Sequence, residues 1–306
     1  MALNIIFMGT PEFSVPILES IHQSEHNIVT VYTQKPKKKD RGQKIKITPV
    51  HKYAKNNNLI IKHPEELNSE EEINFFKKTK AEIVLVVAYG KILPMKLLKL
   101  KNIKFINIHA SLLPKWRGAA PIQRSIMNLD SKTGISIMKI VPKLDAGPVM
   151  MKSEIKISKD TNFQELSEKL SKLGAKEILK SLRLIENNKA IFVEQDEMMS
   201  SYAKKIEKFE TKINWRDKAK IILAKINALS PIPGAWFEHK NSRIKILKAQ
   251  EIVANEISGK IINNDFTIAC SENAIQVLEL QKQGKKRMSV TDYLKGNEIK
   301  LGDEVE

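Results

Sequence analysis

The sequence predicts an α/β domain built on a parallel sheet, followed by a smaller antiparallel β-barrel. Three observations carry this. Apolar runs at residues 4–8 (NIIFM) and 81–89 (AEIVLVVAY) each lead into a glycine, as the buried strands of a parallel sheet do. Helix-patterned segments separate the strands. After residue 208 the texture changes to short alternating runs at close spacing, which favour a small barrel.

In chain order, residues 4–8 form the first strand, and Gly9-Thr10-Pro11 turns it into a helix over 14–21. Only Gly9 is present where a dinucleotide fingerprint needs three glycines, so no such site is expected. Residues 27–33 (NIVTVYT) are the second strand. Residues 34–48 have no periodicity and read as a long mobile loop. A helix over 51–57 and a short strand over 59–62 follow. Ser69 caps a helix reaching about Lys78, with Glu71 and Glu72 in the first turn, where negative charge is favoured. The strand at 81–89 is the most apolar and so the most central. Strands are expected at 104–113, 133–141 and 149–157, and a long amphipathic helix at 163–185. Between the last strands, Leu144-Asp145-Ala146-Gly147-Pro148 is a turn by composition. Residues 188–208 are polar and read as a linker between a first domain at 1–187 and a second at 209–306. In the second, 211–215 reads as a strand and 218–228 as a helix, with short strands beyond. The whole is a Rossmann-like parallel-sheet domain with an OB-like β-barrel behind it.

A chain of 306 residues with 42% hydrophobic and 28% charged residues has ample material for a globular core. It has no apolar run of about 18 residues, so no membrane-spanning helix is expected. The start, MALNIIFMG, lacks a basic segment and a small-residue cleavage site, and Cys270 has no second cysteine to pair with. A cytoplasmic protein is the expectation. Cys270 sits in the apolar run FTIAC and reads as a buried small hydrophobe. No cysteines or histidines have metal-ligand spacing, so no metal is expected. A monomer is expected.

The net charge of +17 is unevenly placed. Between residues 35 and 62 ten basic residues face only Asp40, whereas from residue 206 onward 17 basic residues meet 14 acidic ones. A concentrated basic segment suits a polyanion, nucleic acid first; a solvated lysine-rich linker is the plain alternative.

The stretch that organises the rest is residues 105–121, FINIHASLLPKWRGAAP. Asn107 and His109 are two apart, so on a strand both project from one face. Pro114 ends the strand, having no N–H for the ladder. An amide beside an imidazole suits catalysis; a histidine capping a sheet edge would look the same. Gly9, Tyr89-Gly90, His109 and Asp145 all fall at strand carboxyl ends, where parallel sheets bind ligands.

These residues carry a family resemblance. IHASLLPKWRGAAPIQRSI, then TGISIM and the LDAGPV turn, closely resemble the methionyl-tRNA formyltransferase family. So do the FMGTPEFSV start, the VYTQ strand end with its basic Arg-Gly loop, VVAYG and PIPGAW, and nearly the whole chain is covered. The resemblance implies formyl transfer from 10-formyltetrahydrofolate to the α-amine of methionyl-initiator tRNA. It implies catalytic roles for Asn107, His109 and Asp145, with Asp145 orienting His109. It places the folate against Ala88, Tyr89 and Gly90 and against Ser111, Leu112, Leu113 and Pro114. The two leucines read equally as ordinary core, and Trp116 either stacks on the ligand or packs its loop. The tRNA would meet the basic loop, Lys37, Lys38, Lys39, Arg41, Gly42, Lys44 and Lys46, and on the barrel Lys285, Lys286 and Arg287. There are two departures: KKKDRG stands where Pro, Ala and Gly are commoner before Arg-Gly, and Ser230 precedes Pro231 where Asn is frequent.

Three rival readings stay open on sequence alone. A formyltransferase for a nucleotide or an amino-sugar nucleotide would share the trio, but the extra domain and basic loop disfavour it. A hydrolase releasing formate from the same folate could use the trio to activate water. A non-catalytic RNA-binding protein would explain the charge but not three polar residues at strand ends.

Overall fold

The structure is a computed structural model that describes residues 2–39 and 44–306. The first strand, β1 (Asn4–Gly9), is buried along almost its whole length and leads through a single 3-10 turn into α1 (Val15–His22). Then come β2 (Asn27–Tyr32), β3 (Lys37–Lys39), β4 (Lys44–Lys46), α2 (Pro49–Asn56), β5 (Ile61–Lys62), α3 (Glu70–Lys78) and β6 (Ile83–Val87). The order continues with α4 (Met95–Leu98), β7 (Lys104–His109), β8 (Arg117–Gly118), α5 (Pro121–Met127), β9 (Lys132–Lys139), β10 (Val149–Lys156) and α6 (Phe163–Glu186).

Seven of these strands form one sheet in the order β10-β9-β7-β6-β1-β2-β5. β5, β2, β1, β6 and β7 run parallel, and β9 joins β7 antiparallel. The five residues of β6 are all buried, as its unbroken apolar run predicts. On one face Ile6, Met8, Val84, Val86 and Phe105 cluster with Phe76 of α3 and Leu97 of α4. On the other, α6 meets α1 and β7 closely at Gly174, where an added Cβ would lie 3.0 Å from Ile17 and 3.6 Å from Ile108. Ser69 caps α3 as expected, its hydroxyl accepting from the Glu72 N–H at 3.3 Å.

Two expectations in this region are corrected. The segment expected as a long mobile loop over 34–48 holds two strands among its described residues: β3 and β4 pair antiparallel, Lys37 opposite Lys46 and Lys39 opposite Lys44. A backbone ladder needs no apolar alternation, so KKK and KIK gave no sign of it. The strand begun at Lys104 ends at His109, not Leu113. Buried Ser136 draws the chain off the ladder there: its hydroxyl accepts from the Leu113 N–H at 3.0 Å and donates to the Ser111 carbonyl at 2.7 Å.

The rest of the chain holds β11 (Tyr202–Ala203), α7 (Ala219–Leu229), β12 (Ala235–His239), β13 (Ser242–Ile252), β14 (Ile261–Asn263), β15 (Thr267–Ala269), β16 (Ala274–Lys282), β17 (Met288–Ser289) and α8 (Val290–Leu294). β12, β13, β16, β15 and β14 make an antiparallel sheet, with β17 added to β16. Its core centres on aromatic pairs, Trp215 edge-on to Phe237 at 5.4 Å and Phe266 stacked on Tyr293 at 5.7 Å. The strand expected at 211–215 is absent: a 3-10 turn (Phe209–Thr211) precedes one bridge, from Lys212 to Trp236. Ile213 and Trp215 are β-prone in sequence but are used as core anchors instead. Cys270 is buried, and that burial pushes its thiol up to about 12.

Packing divides the chain into two compact units. One comprises Met1–Gly118, Gly134–Ile155 and Ser167–Tyr202; the other comprises Ala119–Thr133, Lys156–Leu166 and Ala203–Glu306. Among the described residues no helix is long and apolar enough to cross a membrane.

Candidate active site

β7 carries the first two members of the site. Asn107 and His109 lie on it two residues apart, opposite Met138 and Ser136 of β9. Asn107 is half-buried, and no hydrogen bond occupies its carboxamide among the described residues. Both its N–H donors are therefore unspent. His109 is buried, and its Nε2 lies 2.8 Å from the Trp116 carbonyl. A carbonyl only accepts, so Nε2 carries the proton in this pair, and Nδ1 is the nitrogen that faces Asp145.

The turn after β9 brings Asp145 back to β7. Its Oδ2 lies 3.6 Å from His109 Nδ1, beyond direct hydrogen-bond reach but within an ion-pair distance. Contacts of this kind tighten when substrate binds. The same oxygen accepts from the Gly118 N–H at 2.9 Å. Asp145 has φ +47°, a left-handed conformation that costs about 1–2 kcal/mol for a residue with a Cβ. Asp tolerates this better than most residues, but the turn must still be held from outside.

Arg117 and Gln195 hold it. Arg117 is the largest wholly buried side chain, and its guanidinium meets Glu197 through two hydrogen bonds, 3.1 and 3.0 Å. Arg117 Nε and Nη2 also donate to Gln195 Oε1, at 3.1 and 2.9 Å. Gln195 Nε2 donates in turn to the carbonyls of Asp145 and Gly147, at 2.8 and 2.7 Å. Hydrogen bonds from Arg117 hold the Glu197 carboxyl down to about 2, and Lys143 reinforces them. Gln195 falls in the polar stretch expected as a linker. A lone glutamine in a polar stretch has no periodic or motif signal, and only its contacts disclose it.

The residues expected to hold folate divide by burial. Ala88 (φ +47°) and Gly90 (φ +81°) bend the chain sharply after β6 and are exposed; Tyr89 between them is buried. The Tyr89 carbonyl is already engaged by Thr10 Oγ1 at 2.9 Å and Gln34 Nε2 at 3.1 Å. An alanine at Gly90 would place its Cβ 2.4 Å from Gln34 Nε2. Ser111 is buried, its hydroxyl donating to the Lys115 carbonyl at 2.6 Å. Leu113 packs with Met138 and Val149, while Leu112 and Pro114 are half-buried. Among the described residues no group of three or more His, Cys, Asp or Glu is placed to hold a metal ion.

Of the residues expected to meet tRNA, Arg41 and Gly42 lie outside the described residues. Lys37, Lys38, Lys39, Lys44 and Lys46 lie on the two strands of the β3–β4 hairpin. Lys285, Lys286 and Arg287 are exposed in the turn between β16 and β17, and Arg287 pairs with Glu279. A cavity of about 770 Å³ in the second unit, lined by Trp215, Lys212, Lys225 and Arg216 among others, contains none of the predicted site residues.

Comparison with known proteins bears on family and fold. Residues 3–182 match the family model for formyl transferase, and residues 205–298 match that for the formyl transferase C-terminal domain. A protein of Pelagibacter ubique named methionyl-tRNA formyltransferase is 46% identical over 100% of this chain and 99% of its own. One of the same name from Bradyrhizobium diazoefficiens is 40% identical over 99% of each chain. Among solved structures, HypX from Aquifex aeolicus in complex with tetrahydrofolic acid superposes with a TM-score of 0.68 at 14% identity, over 99% of this chain and 51% of that one. The N-formyltransferase from Helicobacter canadensis in complex with folinic acid and dTDP-3-aminofucose gives 0.66 at 21% identity, over 90% of this chain and 99% of that one. At such identities the structures speak for the fold alone. The full-length relatives at 46% and 40% identity go further, and the chain belongs to the methionyl-tRNA formyltransferase family.

Proposed function

We propose that the chain transfers the formyl group of 10-formyltetrahydrofolate to the α-amine of methionyl-initiator tRNA, acting as a cytoplasmic monomer without a metal ion. One observation carries the reading. Asn107, His109 and Asp145 come together at one end of the sheet, in a chain 46% identical over its full length to a methionyl-tRNA formyltransferase. Residues 1–187 would perform the chemistry, 188–208 connect, and 209–306 help to hold the tRNA.

The chemistry follows from the groups present. The α-amine attacks the formyl carbon, a C–N bond forms, and negative charge builds on the formyl oxygen. The unspent N–H donors of Asn107 would meet that charge; one such donor contributes about 3–4 kcal/mol to lowering a barrier. The bond from carbon to N10 of the folate then breaks, N10 gains a proton, and the attacking nitrogen loses one. His109 would move these protons and Asp145 would steady its ring, a contribution of about 10²–10⁴-fold. No covalent enzyme intermediate is needed, in keeping with the absence of an activated Ser or Cys from the trio. Ala88, Tyr89 and Gly90, with Ser111, Leu112, Leu113 and Pro114, would border the folate. The β3–β4 hairpin, with Arg41 and Gly42, and Lys285, Lys286 and Arg287 would bind phosphates. Such binding weakens steeply with salt.

The test separates catalysis from binding. His109→Ala is expected to lower formyl transfer at least 10³-fold while charged tRNA binds within threefold of wild type. An equal loss of binding and turnover contradicts the assigned role.

A further inference from the structure

We propose that Gln195 is a positioning residue for formyl transfer, holding Asp145 in the geometry His109 requires; this rests on the function proposed above. Every polar position of its side chain is committed. Oε1 accepts twice from Arg117, and Nε2 donates to the carbonyls of Asp145 and Gly147. A guanidinium only donates and a carbonyl only accepts, so the carboxamide cannot turn over without losing all four bonds.

The bonds also close a ring. Arg117 anchors Gln195 through its side chain, and the next N–H along, that of Gly118, donates to Asp145 Oδ2. Asp145 is therefore gripped at its carboxylate by Gly118 and at its carbonyl by Gln195. Both grips are needed because its backbone sits at φ +47°, where a residue with a Cβ does not rest unaided. Arg117 can serve as the buried anchor because Glu197 neutralises it. A side chain that only stabilised the fold and one that sets the position of the carboxylate respond differently to substitution.

Gln195→Glu separates the two. It keeps the volume and the acceptor facing Arg117, but points a carboxylate oxygen at two carbonyl oxygens in place of an N–H donor. The expected result is a 10–100-fold fall in kcat, with KM for the formyl donor and for charged tRNA within threefold. Combined with Asp145→Asn, Gln195→Glu should cost less than threefold more, because a residue acting through Asp145 has little left to act on. Gln195→Met, which lacks both donor and acceptor, repeats the cycle if the glutamate variant does not fold. Unchanged kcat in a folded Gln195→Glu protein overturns the proposal. So does an undiminished loss in the Asp145→Asn background. A wild-type protein that transfers no formyl to charged tRNA refutes the proposed function itself, and this inference with it.

Discussion

Gly147 sits two residues after Asp145, and the space around it sets a quantitative expectation. A Cβ built there would lie 1.9 Å from the Lys139 carbonyl oxygen and 2.9 Å from its carbon. Side-chain carbons essentially never approach within 3.0 Å of such an atom, so in Gly147→Ala the turn and the end of β9 must part by about 1 Å or more. The obstacle is backbone and cannot swing aside. Lys139 N–H donates to the Pro148 carbonyl at 2.9 Å, and parting weakens that bond at a cost of about 1–3 kcal/mol. Gln195 also holds the Gly147 carbonyl, so the displacement passes to Asp145. A misplacement of about 1 Å in a catalytic group costs on the order of 10² in rate. Single-turnover transfer of labelled formyl should therefore fall about 100-fold in Gly147→Ala, with tRNA affinity kept. A folded variant that keeps its rate within threefold refutes the claim that this turn's position controls the reaction.

Three further outcomes are expected. Neutralising Lys37, Lys38 and Lys39 together should weaken tRNA binding and flatten its salt dependence, with the slope of log K against log salt falling by up to about 2–3, one phosphate contact per lysine; an unchanged slope removes the hairpin from the interface. Glu197, held down to about 2 by Arg117 and then Lys143, contributes stability that is complete above its unfolded value near 4.5 and disappears as pH falls toward 2. Thermal melts of wild type and Glu197→Gln should accordingly differ at pH 7 and converge across that acid window, and a gap that persists at pH 2 contradicts the pairing. Cys270, pushed up to about 12 by burial, should resist a thiol reagent at pH 8 in the native protein and react at once when it is unfolded.

The fold was legible where one signal sufficed. Strand β6 reads from its apolar run, the start of α3 from Ser69, and the shared face of Asn107 and His109 from their spacing. It was less legible where the chain answers to a distant partner. Ser-Leu-Leu continues the β7 pattern in sequence, yet Ser136, 25 residues beyond Ser111, draws it off the ladder. The Asp145 turn could be read from its composition, but its approach to His109 depends on contacts 27 and 50 residues away, through Gly118 and Gln195. Gln195 was invisible for the same reason: a polar side chain announces nothing until its partners surround it. The β3–β4 hairpin escaped because backbone pairing alone forms it.

The formyl group is expected to go to the amine of a tRNA-borne methionine. The most direct measurement follows labelled formyl from 10-formyltetrahydrofolate in the presence of the wild-type protein, with and without methionine-charged initiator tRNA. The expected result is label on the charged tRNA alone, with none released as formate when the tRNA is withheld. Formate released without tRNA, or label carried to an amino-sugar nucleotide, would contradict it.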